Sequence, residues 1–287
     1  MKILVTGANS PLGSFLIKRL LDTFNDCSIL ALSRTKLDVE DKRLEELDFD
    51  LLLDNFIVDK KFDIVIHTAA IVPNKMKNVF ELFQVNEEGS FNLFKRIKFN
   101  NNALVLNISS SSVYDHPEAE NLFEYSQKTT TNEYGLTKLN FESKLKIFFE
   151  NTTVSLLSIR LPVLLAKGVK NNFMSKWLEL IKNGAPIELS HPDALFNACI
   201  HAEDIFQFFL EFMGQSKAKN LTCNLSSKKP IKVIDAAKMM MRFLNTSVPI
   251  IEREASKPAQ LISHSLASEN GFLPRSVEDS IRLFTSE

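Results

Sequence analysis

The first thirteen residues constrain the fold more than any later stretch. Lys2-Ile3-Leu4-Val5-Thr6 is a short apolar run with β-branched residues, the pattern of a buried strand. It runs straight into Gly7-Ala8-Asn9-Ser10-Pro11-Leu12-Gly13, and apolar residues then recur at helical spacing at Leu12, Phe15, Leu16 and Leu20. Strand, glycine turn and helix in direct succession form the context in which a helix N-terminus receives a dinucleotide pyrophosphate. Gly7 permits the tight turn. Gly13 lets either the helix pack on the strand or the backbone approach a phosphate. Ser10 stands at the middle position of the usual three-glycine pattern, so one backbone approach differs. Glycine is scarce, 8 in 287 residues, against a usual ~7%. Those that remain, including Gly89 and Gly135, therefore have backbone tasks.

A second constellation is Tyr134-Gly135-Leu136-Thr137-Lys138. Tyr and Lys at i and i+4 share one helix face. A phenol with a pKa near ~10 exchanges protons poorly at neutral pH, and a nearby ammonium favours its phenolate. The pair reads as a tuned general acid/base, with Lys138 lowering the pKa of Tyr134.

Strands are expected near 2–6, 28–33, 63–67, 103–108 and 153–159. Helices are expected near 12–22, 50–60, 78–98, 133–150, 173–183, 203–213, 232–244 and 276–285. This alternation implies an α/β fold with a doubly wound parallel sheet covered on both faces. The length suits a dinucleotide-binding domain over 1–165, with the chain returning to it near 197–212, and a smaller lobe over 166–287 that binds substrate. The stretch 115–131, rich in Glu, Thr and Asn, reads as a loop delivering Tyr134. Phe173, Trp177 and Ile181 share helical spacing and read as core, although Asn171-Asn172-Phe173-Met174 with Trp177 could line a base pocket. A net charge of −1 gives no basis for binding nucleic acid or an acidic membrane. No apolar run reaches the ~18 residues of a membrane span. The N-terminus reads as a strand and not as a secretion signal. Cys27, Cys199 and Cys223 are odd in number and lack metal spacing, which suits reduced residues of a cytoplasmic protein without a metal. His67 and His201 read as structural.

Further segments carry a resemblance. Asp63-Ile64-Val65-Ile66-His67-Thr68-Ala69-Ala70 follows the glycine turn at fourth-strand distance. Val85-Asn86 with Gly89 and Asn92-Leu93 comes next, then Ile108-Ser109-Ser110 with Val113-Tyr114, then Tyr134 and Lys138, then Arg160-Leu161-Pro162. Ile200-His201 with Glu203-Asp204 completes the set. Along nearly its whole length the chain resembles an extended short-chain dehydrogenase/reductase of the branch acting on nucleotide sugars. The resemblance implies a Rossmann fold and a catalytic set of Ser110, Tyr134 and Lys138. It implies cofactor contacts from Gly7, Asn9, Ser10, Leu12, Gly13, Thr68, Ala69, Ala70, Asn86, Leu161 and Pro162, with Asp48 and Phe49 near the adenine. It also implies a homodimer paired through the helices near 78–98 and 133–150. Val163 departs from the polar residue that relatives often carry after the proline.

In NAD-binding members a carboxylate ends the second strand about 20 residues beyond the glycine turn and takes the ribose 2′-hydroxyl. Here Ser28-Ile29-Leu30-Ala31-Leu32 ends in Ser33-Arg34-Thr35-Lys36. A guanidinium fork and an ammonium suit a 2′-phosphate, so NADP(H) is preferred over NAD(H). Arg34 to Asp38 also resembles the branch that reduces 4-keto-6-deoxy nucleotide sugars. Ser111-Ser112 follow Ser110 where the family's dehydratases carry Asp-Glu, and where its fucose-forming epimerase-reductases carry Cys at the second position. Hydroxyls cannot do that acid/base work. The expected activity is therefore NADPH-dependent reduction of a keto-sugar nucleotide. The alternatives are a 4-epimerase and a catalytically silent NADP-binding regulatory subunit; presence of Ser110, Tyr134 and Lys138 together argues against the latter.

Overall fold

The computed structural model describes residues 1–53, 55–73, 76, 78–114, 121–128, 132–170, 172–215, 220–253 and 261–287. In chain order the first elements are β1 (Lys2–Thr6), α1 (Pro11–Thr23), β2 (Ser28–Ser33), β3 (Leu44–Asp48) and β4 (Lys61–His67). Then come α2 (Val79–Phe83), a π-helical turn (Gln84–Gly89), α3 (Ser90–Phe94), β5 (Lys98–Ser110), a 3₁₀ turn (Ser111–Val113), β6 (Asn121–Leu122) and α4 (Glu133–Phe149). β7 (Ser155–Leu161), β8 (Val163–Leu165), α5 (Phe173–Lys182), β9 (Ile187–Ser190), β10 (Leu195–Phe196) and β11 (Cys199–His201) follow. The chain continues through α6 (Ala202–Met213), β12 (Asn220–Asn224), β13 (Ile231–Lys232), α7 (Val233–Phe243) and β14 (Ile250–Arg253). It closes with β15 (Leu261–Ile262), α8 (Ser265–Glu269) and α9 (Val277–Thr285).

Seven strands form the main sheet in the order β12-β7-β5-β4-β1-β2-β3. β1 pairs parallel with β2 and β4, β2 with β3, and β4 with β5. Ile3, Leu4 and Val5 are buried without alternation, as a strand covered on both faces requires. The strand order reverses between β1 and β4. In open α/β sheets that reversal opens a crevice at the carboxyl ends of the strands, and Gly7 and Thr68 sit there.

Two compact units divide the chain. The first comprises 1–115, 128–160 and 213–223; the second comprises 116–127, 161–212 and 224–287. The return into the first unit is thus at 213–223, whereas the sequence put it near 197–212. The reason is local pairing: β11 forms a parallel pair with β8 inside the second unit. The core of the first unit gathers Leu4, Val65, Phe94, Val105, Phe141 and Phe149. The second has its own core, with Met174, Trp177, Ile181, Met240 and Ile281. Trp177 donates from Nε1 to Glu188 O at 3.0 Å. Asn172 caps α5, while Asn171 lies outside the described residues.

Three sequence expectations need correction. The helix near 50–60 is absent among the described residues. Asp50 Oδ1 accepts from Leu52 N at 2.8 Å and closes a turn instead. Leu53 and Ile57 are then 83% and 88% exposed, while Phe56 enters the core without a helix. β3 was not anticipated because Leu-Glu-Glu-Leu-Asp is a charged, exposed edge strand without alternation. The helix near 78–98 is interrupted by the π-helical turn, a feature often found at functional sites. Gly89 ends that turn, where a Cβ would lie 2.8 Å from Leu51 O. No helix among the described residues is long and apolar enough to cross a membrane.

Candidate active site

At the glycine turn, Gly7 has φ +64°, and a Cβ there would lie 2.6 Å from Ala69 N and 2.8 Å from the Thr68 carbonyl carbon. A Cβ on Gly13 would lie 2.4 Å from Gly7 O. Of the two roles open to Gly13, this structure uses it for close helix-to-turn packing. Ser10 Oγ accepts from Gly13 N at 3.0 Å, capping α1, and is 3.1 Å from Thr68 Oγ1. Thr68 Oγ1 donates to Thr6 O at 2.8 Å, so the turn after β4 is laced to the end of β1. Pro11 has no amide hydrogen and Gly13's is capped. Of the first three helical positions, only the Leu12 amide is left to meet an anion. Turn, helix terminus and glycine cradle together fit a dinucleotide pyrophosphate.

The turn after β2 closes on the same edge. The Ser33 hydroxyl donates to Thr35 O, and Asn9 Nδ2 donates to Thr35 Oγ1, which ties this turn to the glycine turn. Arg34 and Lys36 are exposed. Half-buried Asp50 lies 3.8 Å from the exposed Arg34 guanidinium, a long pair of little strength. A carboxylate thus stands near the predicted phosphate site, brought by the unforeseen β3 and the turn after it. Asp48 lies opposite Ser33 in the sheet register. Phe49 donates from its backbone to Ser33 O at 3.0 Å, but its ring is in the core, edge-on to Phe56.

Ser110 ends β5, and its Oγ accepts from Ser112 N at 3.1 Å. The Tyr134 hydroxyl lies near enough to Ser110 for that side chain to favour the phenolate. Asn132 caps α4, accepting from Gly135 N at 3.3 Å, and so fixes the first turn that carries Tyr134. One turn on, Lys138 is buried; its Nζ lies 5.8 Å from the Tyr134 ring centre and donates to Ile108 O at 2.9 Å. The three predicted catalytic side chains are therefore brought together. Their proton affinities differ from the sequence expectation. Burial pushes Tyr134 up to about 12, with the Ser110 side chain acting the other way. Burial pulls Lys138 down to about 8, partly opposed by Glu142. Desolvation of the phenol outweighs any help from the ammonium.

This fold and site can be set beside known proteins. The model of the NAD-dependent epimerase/dehydratase family matches residues 3–225. The chain belongs to that family. Among curated relatives, the trifunctional UDP-glucose 4,6-dehydratase/UDP-4-keto-6-deoxy-D-glucose 3,5-epimerase/UDP-4-keto-L-rhamnose-reductase RHM2 of Arabidopsis thaliana is 24% identical over 263 residues. That match takes in 82% of this chain but 38% of the relative. UDP-glucuronic acid 4-epimerase from Bacillus cereus, solved in complex with NAD, superposes with a TM-score of 0.83 at 18% identity, covering 100% of this chain and 96% of that one. RMD from Pseudomonas aeruginosa, solved with NADPH, gives 0.76 at 19% identity, covering 99% and 97%. These two structures share the fold.

Asn86, His67 and His201 of this epimerase/dehydratase family member make internal contacts. Asn86, buried in the π-helical turn, accepts from Ile71 N at 2.7 Å and donates to Ile71 O at 2.9 Å. It also reaches Thr137 Oγ1 at 3.4 Å, next to Lys138. Its amide thus clamps the chain after Ala69-Ala70 to α4. Leu161 is buried at the end of β7, and Pro162 is half-buried after it. His67 Nδ1 is 2.8 Å from Thr6 Oγ1, and its ring packs on Phe94 and Phe141. Burial, then the Lys138 charge, lowers it to about 3, so it is neutral. His201 Nδ1 accepts from Glu203 N at 3.1 Å, and Nε2 faces Glu287 Oε1 at 3.1 Å. Sequence reasoning gave Ser109 no role of its own and did not single out Glu142, yet the two bond at 2.5 Å beside the reacting set. The available signal was Glu142 at i+4 from Lys138 and i+8 from Tyr134.

Proposed function

We propose that the chain reduces a keto group on a nucleotide-activated 6-deoxy sugar with NADPH. The observation that carries this reading is the convergence of Ser110, Tyr134 and Lys138, with the Lys138 ammonium 5.8 Å from the Tyr134 ring centre and Ser110 beside the Tyr134 hydroxyl. When bound, the nicotinamide cofactor supplies the hydride. Tyr134 gives its proton to the carbonyl oxygen, and Ser110 donates a hydrogen bond to that oxygen as charge develops on it. Lys138 stabilises the phenolate left behind and would hold the nicotinamide ribose. A phenol at about 12 stays protonated at neutral pH, the form a proton donor needs. Ser111 and Ser112 supply no group for dehydration or carbon-acid chemistry.

Arg34 and Lys36 at the rim support NADPH, because a phosphate dianion outcompetes the half-buried Asp50 for the exposed guanidinium. The second reading is a nucleotide-sugar 4-epimerase with NAD, favoured by the fold shared with the NAD-bound B. cereus epimerase. In the same reading residues 166–287 form the substrate lobe. The protein is a cytoplasmic homodimer paired through α2–α3 and α4, where Phe80 and Ile147 are exposed.

The test is direct. With a 4-keto-6-deoxy nucleotide sugar, NADPH absorbance should fall by one equivalent per product. Stoichiometric NAD in the purified protein, with interconversion of two 4-epimers and no added cofactor, would replace reductase by epimerase. Arg34→Ala should erase most of the NADPH preference in a fluorescence titration. Equal or tighter NADH binding by the unaltered chain refutes the cofactor assignment.

A further inference from the structure

Resting on the reading of Ser110, Tyr134 and Lys138 as the reacting set, we propose that Glu142 and Arg160 are positioning residues. Their buried fork ties both ends of the Ser109–Tyr114 segment to α4 and so fixes the Ser110 hydroxyl against the Tyr134 phenol. Arg160, near the end of β7, donates from Nε to Glu142 Oε1 at 3.1 Å and from Nη2 to Glu142 Oε2 at 2.7 Å. Its Nη1 donates to the Tyr114 hydroxyl at 2.9 Å, and its guanidinium carbon lies 5.3 Å from that ring's centre. Glu142 Oε1 also accepts from Ser109 Oγ at 2.5 Å. Ser110 is therefore flanked by two tethered residues, Ser109 just before it and Tyr114 four positions after it. Both tethers end on the ion pair that Glu142 anchors to α4, on the stripe that carries Tyr134 and Lys138.

Energetics alone give no reason for such a pair. Both side chains are nearly fully buried, at 5% and 6% exposure. Desolvating two charges is costly, and well-packed apolar residues commonly stabilise as much. What a guanidinium adds is direction: its planar donors hold Glu142 in a fork while a third reaches Tyr114. Three elements, β5 with its following turn, α4 and β7, are thus registered at one point. A reacting set tolerates little misplacement, which is where such registration acts.

Three variants of the full chain separate the roles. Tyr114→Phe removes the hydroxyl that accepts from Arg160 and keeps the ring. Glu142→Gln keeps shape and removes charge. Arg160→Lys keeps charge and loses the fork. Tyr114→Phe should lower kcat about ten- to a hundred-fold while NADPH affinity stays within about two-fold. Arg160→Lys should behave like Tyr114→Phe. In a Ser110→Ala background Tyr114→Phe should cost no further turnover, because the tether acts through Ser110. An equal fractional loss in both backgrounds overturns the proposal. A second readout needs no substrate. The chain has 3 tyrosines, so ¹³Cζ-tyrosine NMR resolves Tyr134 by assignment with Tyr→Phe variants. Tyr114→Phe should move the Tyr134 resonance in the direction that Ser110→Ala moves it; an unmoved resonance overturns the tether. If no keto sugar is turned over by the unaltered chain, the reductase reading fails, and the NMR experiment still decides this one. Should Glu142→Gln not fold, Tyr114→Phe carries the test.

Discussion

Lys138 should make this fold gain stability as pH rises, the reverse of what a surface lysine does. Its ammonium is buried, and burial pulls it from 10.5 to about 8. Below about pH 8 the group is charged in both folded and unfolded chains, and the folded state bears the whole cost of burying it. Between about 8 and 10.5 the folded chain releases the proton while the unfolded chain keeps it. The unfolded state then binds more protons, so unfolding free energy rises with pH. At about 1.4 kcal/mol per pH unit, the gain from about pH 8 to about pH 9.5 is about 2 kcal/mol. Above about pH 10 Tyr134 opposes this, since it holds its proton to about 12 while unfolded tyrosines lose theirs. Measurements therefore stop short of that range. Urea unfolding of the unaltered chain and of Lys138→Met, followed at about pH 7.5, 8.5 and 9.5, isolates the group. Contributions common to both proteins, such as the buried Cys199 thiol pushed up to about 12, cancel in the difference. The two stability curves should converge or cross as pH rises, by about 2 kcal/mol. Curves that stay parallel refute the reasoning, and would mean that the ammonium is solvated or that Glu142 neutralises its cost entirely.

Tyr134→Phe should leave folding and cofactor affinity nearly intact and cut turnover at least ~10²-fold, the lower range for general acid/base catalysis; near-native rates on the true substrate would show that another group donates the proton. Gly13→Ala should destabilise the chain by about 1–3 kcal/mol, because overpacking outweighs the helix preference for alanine: the new methyl would sit 2.4 Å from a backbone carbonyl. Denaturant midpoints measure that loss, and NADPH titration should show weaker binding in the same variant. Asn86→Ala should weaken both fold and turnover, since its amide bonds the Ile71 backbone twice. A loss of about 1–3 kcal/mol by urea unfolding is expected from the backbone groups left unpaired.

Local patterning decided a good deal of this protein. β1 and β2 have the predicted bounds because a strand buried on both faces leaves an unbroken apolar run. α1 and α4 start where Ser10 and Asn132 supply caps, and Tyr134 and Lys138 share a face because 3.6-residue periodicity is intrinsic to the backbone. The family, too, is written in short segments of this kind. Other features depended on what distant segments cover. Residues 50–60 carry helical spacing but reach the core through Phe56 without forming a helix, and β3 is a strand only because β2 offers its edge. The π-helical turn exists in register with the Asn86 contacts to Ile71. Glu142, Arg160 and Tyr114 lie far apart in sequence and meet only once β5, α4 and β7 are packed. The same holds for the phenol. Spacing alone says that Lys138 lowers the Tyr134 pKa, but the enclosure of that hydroxyl raises it to about 12. Periodicity is a property of consecutive residues, whereas desolvation is set by the atoms that other parts of the chain bring to the site.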